Sequence, residues 1–263
     1  MTGKPISRPV LPASAARPLV TPIQPSVVYT TPTPDALDAL YDGTATGHTY
    51  SREGHPNAAG LASMIDAMED ASGGLVVSSG MAAVVAAVLA AAQAGDHVLG
   101  GNQLYGRSLR MMKEELPRLG LETSLFDPTD VADLTAQLRP NTKAILVEVV
   151  SNPTLRVADM DGILAVAKER GIKVIVDNTF TTPRAYQPLV QGADFVVHSV
   201  TKLLSGHSDA LLGYVAAADA DDAERLDVIA TTWGLTACPW SCWTAERGML
   251  TFDLRFAQAQ ASA

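Results

Sequence analysis

The 263-residue chain contains only two cysteines and has no apolar run long enough to cross a membrane. Cys238 and Cys242 are four residues apart, but no nearby pair of histidines or cysteines completes a metal site. The longest apolar run, at 81–92, is shorter than the roughly 20 residues of a membrane helix. The N-terminus lacks the charged-then-apolar pattern of a secretory signal. We therefore expect a cytoplasmic protein without a metal and without a membrane partner.

The chain also lacks a basic stripe and the signatures of nucleotide binding. Its formal net charge is −9 and its sequence pI is about 4.9, so nucleic acid is not an expected partner. Neither a G-x-G-x-x-G fingerprint nor a Walker pattern occurs. These absences argue against a nucleotide-binding α/β protein.

Apolar runs and helical patterns alternate from about residue 58 to residue 216. The hydrophobic content of 47% over 263 residues is enough for one large core. Strand-helix alternation with short connections predicts an α/β fold, with a mostly parallel sheet between two helix layers. Glu148 alone interrupts the apolar pattern of the fourth strand. Strands are predicted at 75–77, 97–99, 121–126, 144–150, 172–176, 195–197 and 212–216, and helices at 58–71, 81–93, 108–116, 130–138, 161–170, 219–231 and 243–256.

Residues 1–47 are rich in proline, threonine, serine and alanine, and they precede the α/β domain predicted at 48–263. Proline at this density prevents a regular helix or central strand. The segment is either a disordered leader or an extended arm that lies on a partner. A short helix near 34–41, capped by Thr33, fits within it.

The segment 193–213 contains the strongest candidate for chemistry. Its apolar strand at 195–197 is followed by Ser199, Thr201 and Lys202. A lysine after a strand is commonly a solvated surface residue. It can also form a Schiff base with pyridoxal phosphate (PLP), and the neighbouring hydroxyls can then bind the phosphate.

Other loops carry side chains with matching chemistry. Asp177 follows a buried strand, where α/β sheets bind ligands, although a turn or helix-capping role is an equal alternative. The small residues at 78–81 precede a helix, and such a helix N-terminus binds phosphate. Tyr105 lies in a glycine-rich loop, either as a plug or stacked on a flat ring. Tyr50 and Arg52 point to the same side if their segment is extended. Arginine is a natural hydrogen-bond donor to phosphate.

Six stretches resemble, in order and spacing, the cystathionine γ-synthase-like family of PLP enzymes of cysteine and methionine metabolism, which has fold type I. The resemblance covers roughly residues 20 to 255, and its last motif is highly specific. The stretches are Tyr-Ser-Arg-x-x-x-Pro at 50–56, Ser-Gly-Met-Ala-Ala at 79–83, Leu-Tyr-Gly at 104–106, Ser-Asn-Pro-Thr at 151–154, Val-Asp-Asn-Thr at 176–179 and Ser-Val-Thr-Lys-Leu-Leu-Ser-Gly-His-Ser-Asp at 199–209.

The resemblance implies a three-layer PLP domain with three catalytic residues. Lys202 would be the Schiff-base lysine and a proton carrier. Asp177 would pair with the pyridine N–H, and Tyr105 would stack on the ring and help to activate the substrate amine or the leaving group. Asn152 would lie near the ring hydroxyl. The full implied cofactor set is Tyr50, Arg52, Ser79, Gly80, Met81, Tyr105, Asn152, Asp177, Thr179, Ser199, Thr201 and Lys202.

The resemblance also implies partners. In the family, the residues that match Tyr50 and Arg52 complete the phosphate site of a neighbouring subunit, so we expect a homo- or hetero-oligomer. The family's C-terminal domain, which supplies the arginine that binds the substrate carboxylate, is missing from this sequence. We expect either a second chain that supplies this domain or a truncated product.

The implied activity is β- or γ-elimination, or γ-replacement, on a sulfur-containing or O-activated amino acid, with replacement on an activated homoserine as the first choice. Arg107 follows Tyr105-Gly106 where methionine γ-lyases typically have cysteine, which argues against that activity. Other departures from the family pattern are His55, Asn57, Ala62 and Cys238. The alternative is a catalytically incomplete scaffold or regulatory subunit of such an enzyme.

Overall fold

The computed structural model describes residues 15, 16 and 18–263, and its core is one seven-stranded sheet. The part of the predicted arm at residues 1–14 and 17 lies outside the described residues. The strands are β1 (Leu75–Val77), β2 (His97–Gly101), β3 (Glu122–Phe126), β4 (Thr142–Glu148), β5 (Lys173–Asp177), β6 (Phe195–His198) and β7 (Gly213–Ala217).

The strand order across the sheet is β1-β7-β6-β5-β4-β2-β3. The five strands β2 to β6 all run parallel to one another. Strand β7 is antiparallel to both of its neighbours, β1 and β6. The central strands are apolar and almost completely buried, as expected for parallel strands covered on both faces. The predicted α/β class with a mostly parallel sheet is confirmed.

Helices cover both faces of this sheet, which gives three layers. One face packs against α3, α10 and the helical stretch 106–118, and the other packs against α2, α6, α7 and α11. None of the helices in the described residues is both long and apolar enough to cross a membrane. The helices are α1 (Pro34–Tyr41), α2 (Pro56–Glu69), α3 (Gly80–Ala91), α4 (Gly106–Arg110), α5 (Leu116–Arg118), α6 (Val131–Gln137), α7 (Met160–Arg170), α8 (Thr182–Ala185), α9 (Pro188–Gln191), α10 (Ala220–Thr232), α11 (Pro239–Met249) and α12 (Phe252–Ser262).

The alanine-rich helix α3 lies across the centre of the sheet. Ala83, Ala86 and Ala87 are completely buried, together with Val88. Small side chains let the helix axis approach the sheet closely, so that α3 contacts β4, β5, β6 and β7. This close packing brings the N-terminus of α3 next to the loop that follows β6.

The helical stretch after Tyr105 is longer than predicted. A π-helical turn at Met111–Glu115 joins α4 to α5, and the Leu116 N–H bonds to Met111 O. Pro117 therefore lies inside the stretch, and the prediction that it closes the helix is wrong. A proline ring clashes with the carbonyl four residues earlier in a regular helix, and the wider π turn before it relieves this clash.

The last predicted helix, at 243–256, is two helices in the structure, α11 and α12. The break follows Gly248, whose carbonyl accepts bonds from the Thr251 N–H at 3.2 Å and the Thr251 hydroxyl at 3.1 Å. A threonine hydroxyl that bonds to a nearby carbonyl competes with the regular helix ladder. The single-helix prediction is therefore wrong.

The described part of the N-terminal arm contacts the α/β domain. Buried Asn57 accepts a bond from the Gln24 N–H at 2.9 Å and donates to Pro22 O at 3.0 Å. Val28 forms a bridge with Tyr50. The arm residues themselves are mostly exposed, so the contact rests on a few polar bonds.

Candidate active site

Most of the predicted site residues line one cleft at the carboxyl ends of the parallel strands. The cleft has a volume of about 230 Å³. Parallel strands end at the same edge of a sheet, so residues far apart in sequence meet there. The predicted residues that line the cleft are Ser79, Gly80, Met81, Tyr105, Asn152, Asp177, Thr179, Ser199, Thr201 and Lys202.

Lys202 lies in the turn that follows β6. Its N–H donates to Ser199 O at 3.0 Å, and its carbonyl accepts from the Gly206 N–H at 2.9 Å. Its amine lines the cleft and has no hydrogen-bond or ionic partner among the described residues. An amine without a competing partner is available to condense with an aldehyde.

Asp177 is the last residue of β5, and its carboxylate faces the cleft. Desolvation raises the pKa of Asp177 above its usual range, although two bonds from Thr179 oppose this effect. The Thr179 hydroxyl donates to Asp177 Oδ1 at 2.5 Å, and the Thr179 N–H donates to the same oxygen at 3.1 Å. No described hydrogen bond reaches Oδ2, which leaves that oxygen available for a protonated ring nitrogen.

Thr179 connects the acid to the lysine segment. Its hydroxyl oxygen accepts the Ser199 N–H at 2.8 Å while its proton goes to Asp177. The Thr179 side chain therefore orients two other residues of the cleft, and its own contact with a cofactor stays a prediction.

The N-terminus of α3 and the loop after β6 form one end of the cleft. Ser79 caps the helix by accepting the Ala82 N–H at 3.1 Å. The N–H groups of Gly80 and Met81 occupy the first two helical positions and have no acceptor among the described residues. A Cβ on Gly80 would lie 2.7 Å from the Ser199 Cβ, so only glycine permits this approach. Free N–H groups, a helix dipole and a hydroxyl favour an anion here.

Thr201 is also at this end, but its hydroxyl is already bonded. It donates to Leu212 O at 3.2 Å and accepts the Leu212 N–H at 3.0 Å. To donate to a phosphate, Thr201 would have to release the Leu212 carbonyl.

Tyr105 and Asn152 also line the cleft, and Glu148 accepts a backbone N–H from each of them. The Tyr105 N–H donates to Glu148 Oε1 at 2.6 Å, and the Asn152 N–H donates to Oε2 at 3.3 Å. Burial, and then the nearby charge of Asp177, raise the pKa of Glu148 to about 7. The sequence interpretation of Glu148 as an interruption of an apolar strand missed this function. Its register with Asp177 is set by the pairing of β4 with β5, which the sequence does not show, and the predicted strand ended at residue 150 instead.

Tyr50 and Arg52 do not line the cleft in this chain. Tyr50 pairs with Val28 in a β-bridge, Arg52 lies in the turn that follows, and the Arg52 guanidinium is 5.3 Å from the Tyr50 ring centroid. Arg52 donates to Thr231 O at 3.1 Å. Any contact of these residues with the cofactor must therefore be made in another copy or after a rearrangement.

The donor set of the cleft fits a flat phosphorylated aldehyde with a basic ring nitrogen. The free amine of Lys202 suits the aldehyde, and the open Oδ2 of Asp177 suits a ring N–H. The α3 N-terminus suits the phosphate. PLP carries all three of these groups.

Sequence comparisons agree with this fit. Residues 11–263 match the family described as "Cys/Met metabolism PLP-dependent enzyme". The chain is 40% identical over 216 residues to cystathionine beta-lyase MetC of Bacillus subtilis, covering 82% of this chain and 55% of that relative. It is 36% identical over 213 residues to a probable cystathionine gamma-synthase of Herpetosiphon aurantiacus, covering 81% of this chain and 66% of that relative. The chain thus spans about half to two thirds of the length of these relatives.

Solved structures show the same fold. A putative O-acetylhomoserine (thiol)-lyase from Campylobacter jejuni, whose crystal structure contains N'-pyridoxyl-lysine-5'-monophosphate, superposes with a TM-score of 0.83 at 29% identity. This match covers 89% of this chain and 66% of that one. MetB from Corynebacterium glutamicum gives a TM-score of 0.83 at 32% identity, with coverage of 89% and 59%. The chain belongs to the Cys/Met-metabolism family of PLP-dependent enzymes, and pyridoxal phosphate is the cofactor that its cleft is built to bind.

Proposed function

We propose that this protein catalyses PLP-dependent β- or γ-elimination, or γ-replacement, on a sulfur-containing or O-activated amino acid. The observation that carries the proposal is the convergence of Lys202, Asp177 and Tyr105 on one cleft. The relatives' names support it, since they include cystathionine lyases, cystathionine gamma-synthases and an O-acetylhomoserine (thiol)-lyase. Replacement on an activated homoserine stays our first choice among these reactions.

Bound PLP supplies an electron-withdrawing ring that acidifies the α-carbon of an attached amino acid. Within this chain, Asp177 would keep the ring nitrogen protonated through its free Oδ2. The amine of Lys202 would take the α-proton and return it at a neighbouring carbon. Thr179 links the two segments, since its hydroxyl donates to Asp177 Oδ1 and accepts the N–H of Ser199, three residues before Lys202.

Tyr105 would orient the ring and exchange a proton at the leaving group or the substrate amine. Its side chain is 46% exposed, which leaves the phenol at the mouth of the cleft. Asn152 would donate its side-chain amide to the ring hydroxyl. The phosphate would bind to Ser199, Thr201 and the α3 N-terminus, where Ser79 caps the helix.

We also propose that the site is shared between subunits, with Tyr50 and Arg52 completing the phosphate site of a neighbour. Their place outside the cleft of their own chain supports this proposal. The expectation that a second chain supplies the substrate-carboxylate arginine stays a prediction, and co-purification of such a partner would support it.

The test begins with the visible spectrum of the purified protein after addition of PLP. Borohydride reduction and peptide mapping should place the label on Lys202. A Lys202→Ala variant should lose the band, whereas Lys113→Ala, at an exposed lysine of the π turn, should keep it. Label scattered over surface lysines would contradict the cofactor assignment.

Turnover assays then distinguish the reactions. We expect cystathionine formation from an O-acylhomoserine and cysteine, or release of a keto acid from cystathionine. Label on Lys202 without turnover in any of these assays would instead favour the regulatory-subunit alternative.

A further inference from the structure

Glu148 is a buried acid without a cation. It ends β4 beside Asp177 in the adjacent strand β5, and it is only 8% exposed. No lysine, arginine or histidine forms an ion pair with it in the described part of the chain. Burying an unpaired carboxylate costs free energy unless hydrogen bonds compensate. The hydrogen bonds that Glu148 accepts therefore offset the free-energy cost of burying its carboxyl group beside the cleft.

Its two oxygens bond to two different loops. Oε1 accepts the Tyr105 N–H at 2.6 Å, from the loop between β2 and α4. Oε2 accepts the Asn152 N–H at 3.3 Å, from the loop after β4. These loops carry the two side chains assigned above to the ring and to its hydroxyl. One carboxylate thus sets the separation of two cofactor-contacting loops.

We propose that Glu148 is a positioning residue that holds Tyr105 and Asn152 in place for the cofactor ring by accepting one backbone N–H from each loop. This inference rests on the proposed function, because it takes the roles of Tyr105 and Asn152 from it. Glu148 does not need to touch the cofactor to act in this way.

A carboxyl group of this length offers one acceptor oxygen to each loop. Glutamine offers one acceptor oxygen, and its amide N–H₂ would face the second N–H donor. Aspartate keeps the charge but is shorter by one methylene, so it cannot reach both loops from the same strand position. Hydrogen bonds to a charged acceptor are also the stronger kind.

The same two loops are joined a second time, by exposed Thr154 and half-buried Gln103. The Thr154 hydroxyl donates to Gln103 Oε1 at 2.6 Å. Removing this bond loosens the loop contact without touching Glu148. Gln103→Ala is therefore the matched control for the positioning role.

The test compares Glu148→Gln and Glu148→Asp with the wild type and with Gln103→Ala. The readouts are the PLP dissociation constant and the circular dichroism that the protein induces in bound PLP. We expect both Glu148 variants to bind PLP on the order of tenfold more weakly with a reduced induced signal. The Gln103→Ala protein should stay within about twofold of the wild type, as expected for an exposed polar bond.

A double-mutant cycle with Tyr105→Ala identifies the route of the effect. If Glu148 acts through Tyr105, Glu148→Gln should weaken PLP binding much less in the Tyr105→Ala protein than it does in the wild type. Full additivity would overturn that route. Wild-type PLP affinity in both Glu148 variants would overturn the proposal, even if one variant folds poorly. Absence of Lys202 labelling in the wild type would instead contradict the proposed function, so the two failures are distinguishable.

Discussion

Thr179 shows at the residue scale how one hydroxyl organises a site. It donates to Asp177 Oδ1 and accepts from the Ser199 N–H, so it orders both the acid and the lysine segment. Desolvation raises the pKa of Asp177, and the two hydrogen bonds from Thr179 partly offset this rise. The hydroxyl therefore favours the ionised form that pairs with a protonated ring nitrogen.

Replacing Thr179 by valine should raise the pKa of Asp177 further and leave the Ser199 N–H without an acceptor. We expect PLP binding to weaken by about tenfold, the effect of losing bonds to a charged group. Absorbance titration with PLP measures it. Thr179→Ser keeps the hydroxyl and should bind PLP nearly as the wild type does. Equal affinity of the valine and serine variants would contradict this account.

Glu148 makes a separate prediction about stability and pH. Its pKa rises from 4.5 to about 7 on folding, so the folded state binds its proton more tightly than the unfolded state. The contribution of Glu148 to the free energy of unfolding is therefore fully present below about pH 4.5 and is lost as the pH rises to about 7. The full effect is about 3 kcal/mol by the conversion of pKa differences into free energy.

Urea unfolding of the protein between pH 5 and pH 8 tests this sign. The free energy of unfolding of wild type should fall with pH more steeply than that of Glu148→Gln, which cannot ionise. Asp177 contributes in the same direction to both proteins, and its charge is one cause of the raised Glu148 pKa, so the difference reports the ionisation of Glu148 beside Asp177. Parallel pH profiles would contradict the assigned pKa.

At the scale of elements, α12 supports the lysine turn from behind. The Arg255 guanidinium donates to Leu203 O at 2.7 Å, Leu204 O at 3.1 Å and Gly248 O at 2.9 Å. A Cβ on Gly206, where φ is +74°, would lie 2.0 Å from Arg255 Nη1. A glycine with a left-handed backbone therefore makes room for the guanidinium beside the turn.

Arg255→Met should leave these carbonyls unpaired and loosen residues 203–206. We expect a loss of about 2–3 kcal/mol in stability and faster hydrogen exchange in this turn. Arg184→Met is the control, because it breaks the exposed ion pair between Arg184 of α8 and Asp253, which lies on α12 with Arg255. That loss should stay below about 1 kcal/mol. Equal effects of the two variants would show that the Arg255 bonds do not hold the turn.

At the scale of the whole molecule, Tyr50 and Arg52, for which we propose a phosphate-binding role, lie outside the cleft that Lys202 lines. A shared site predicts complementation between two inactive variants. Lys202→Ala and Arg52→Ala should each have little activity alone. Mixed oligomers should regain activity, because one of their sites combines the intact Lys202 of one subunit with the intact Arg52 of the other.

The control for complementation is a mixture of Lys202→Ala with Asp177→Ala. Both of these residues belong to the same cleft, so mixing creates no intact site. Recovery in both mixtures, or in neither while the oligomers exchange subunits, would contradict the shared site.

Much of the cleft could be predicted because its residues stand at strand and helix ends. Asp177 follows an apolar strand, Gly80 opens a helix, and Lys202 follows a strand, and parallel strands place such ends together. Glu148 could not be assigned, since its partners are 43 and 4 residues away and belong to separate loops. Arg255 reaches a turn 51 and 52 residues earlier, and no local pattern predicts that contact.

The sequence alone determined the strand-helix alternation, the α/β class and the set of cofactor-type side chains, because periodicity and motif spacing are local properties of the chain. The tertiary structure decided which of these side chains meet, which hydroxyls and carboxylates are already bonded, and where helices break. It placed Thr179 between Asp177 and Ser199, and it kept Arg52 outside the cleft. The physical reason is that hydrogen bonds and burial depend on distances between distant segments, and only packing sets those distances.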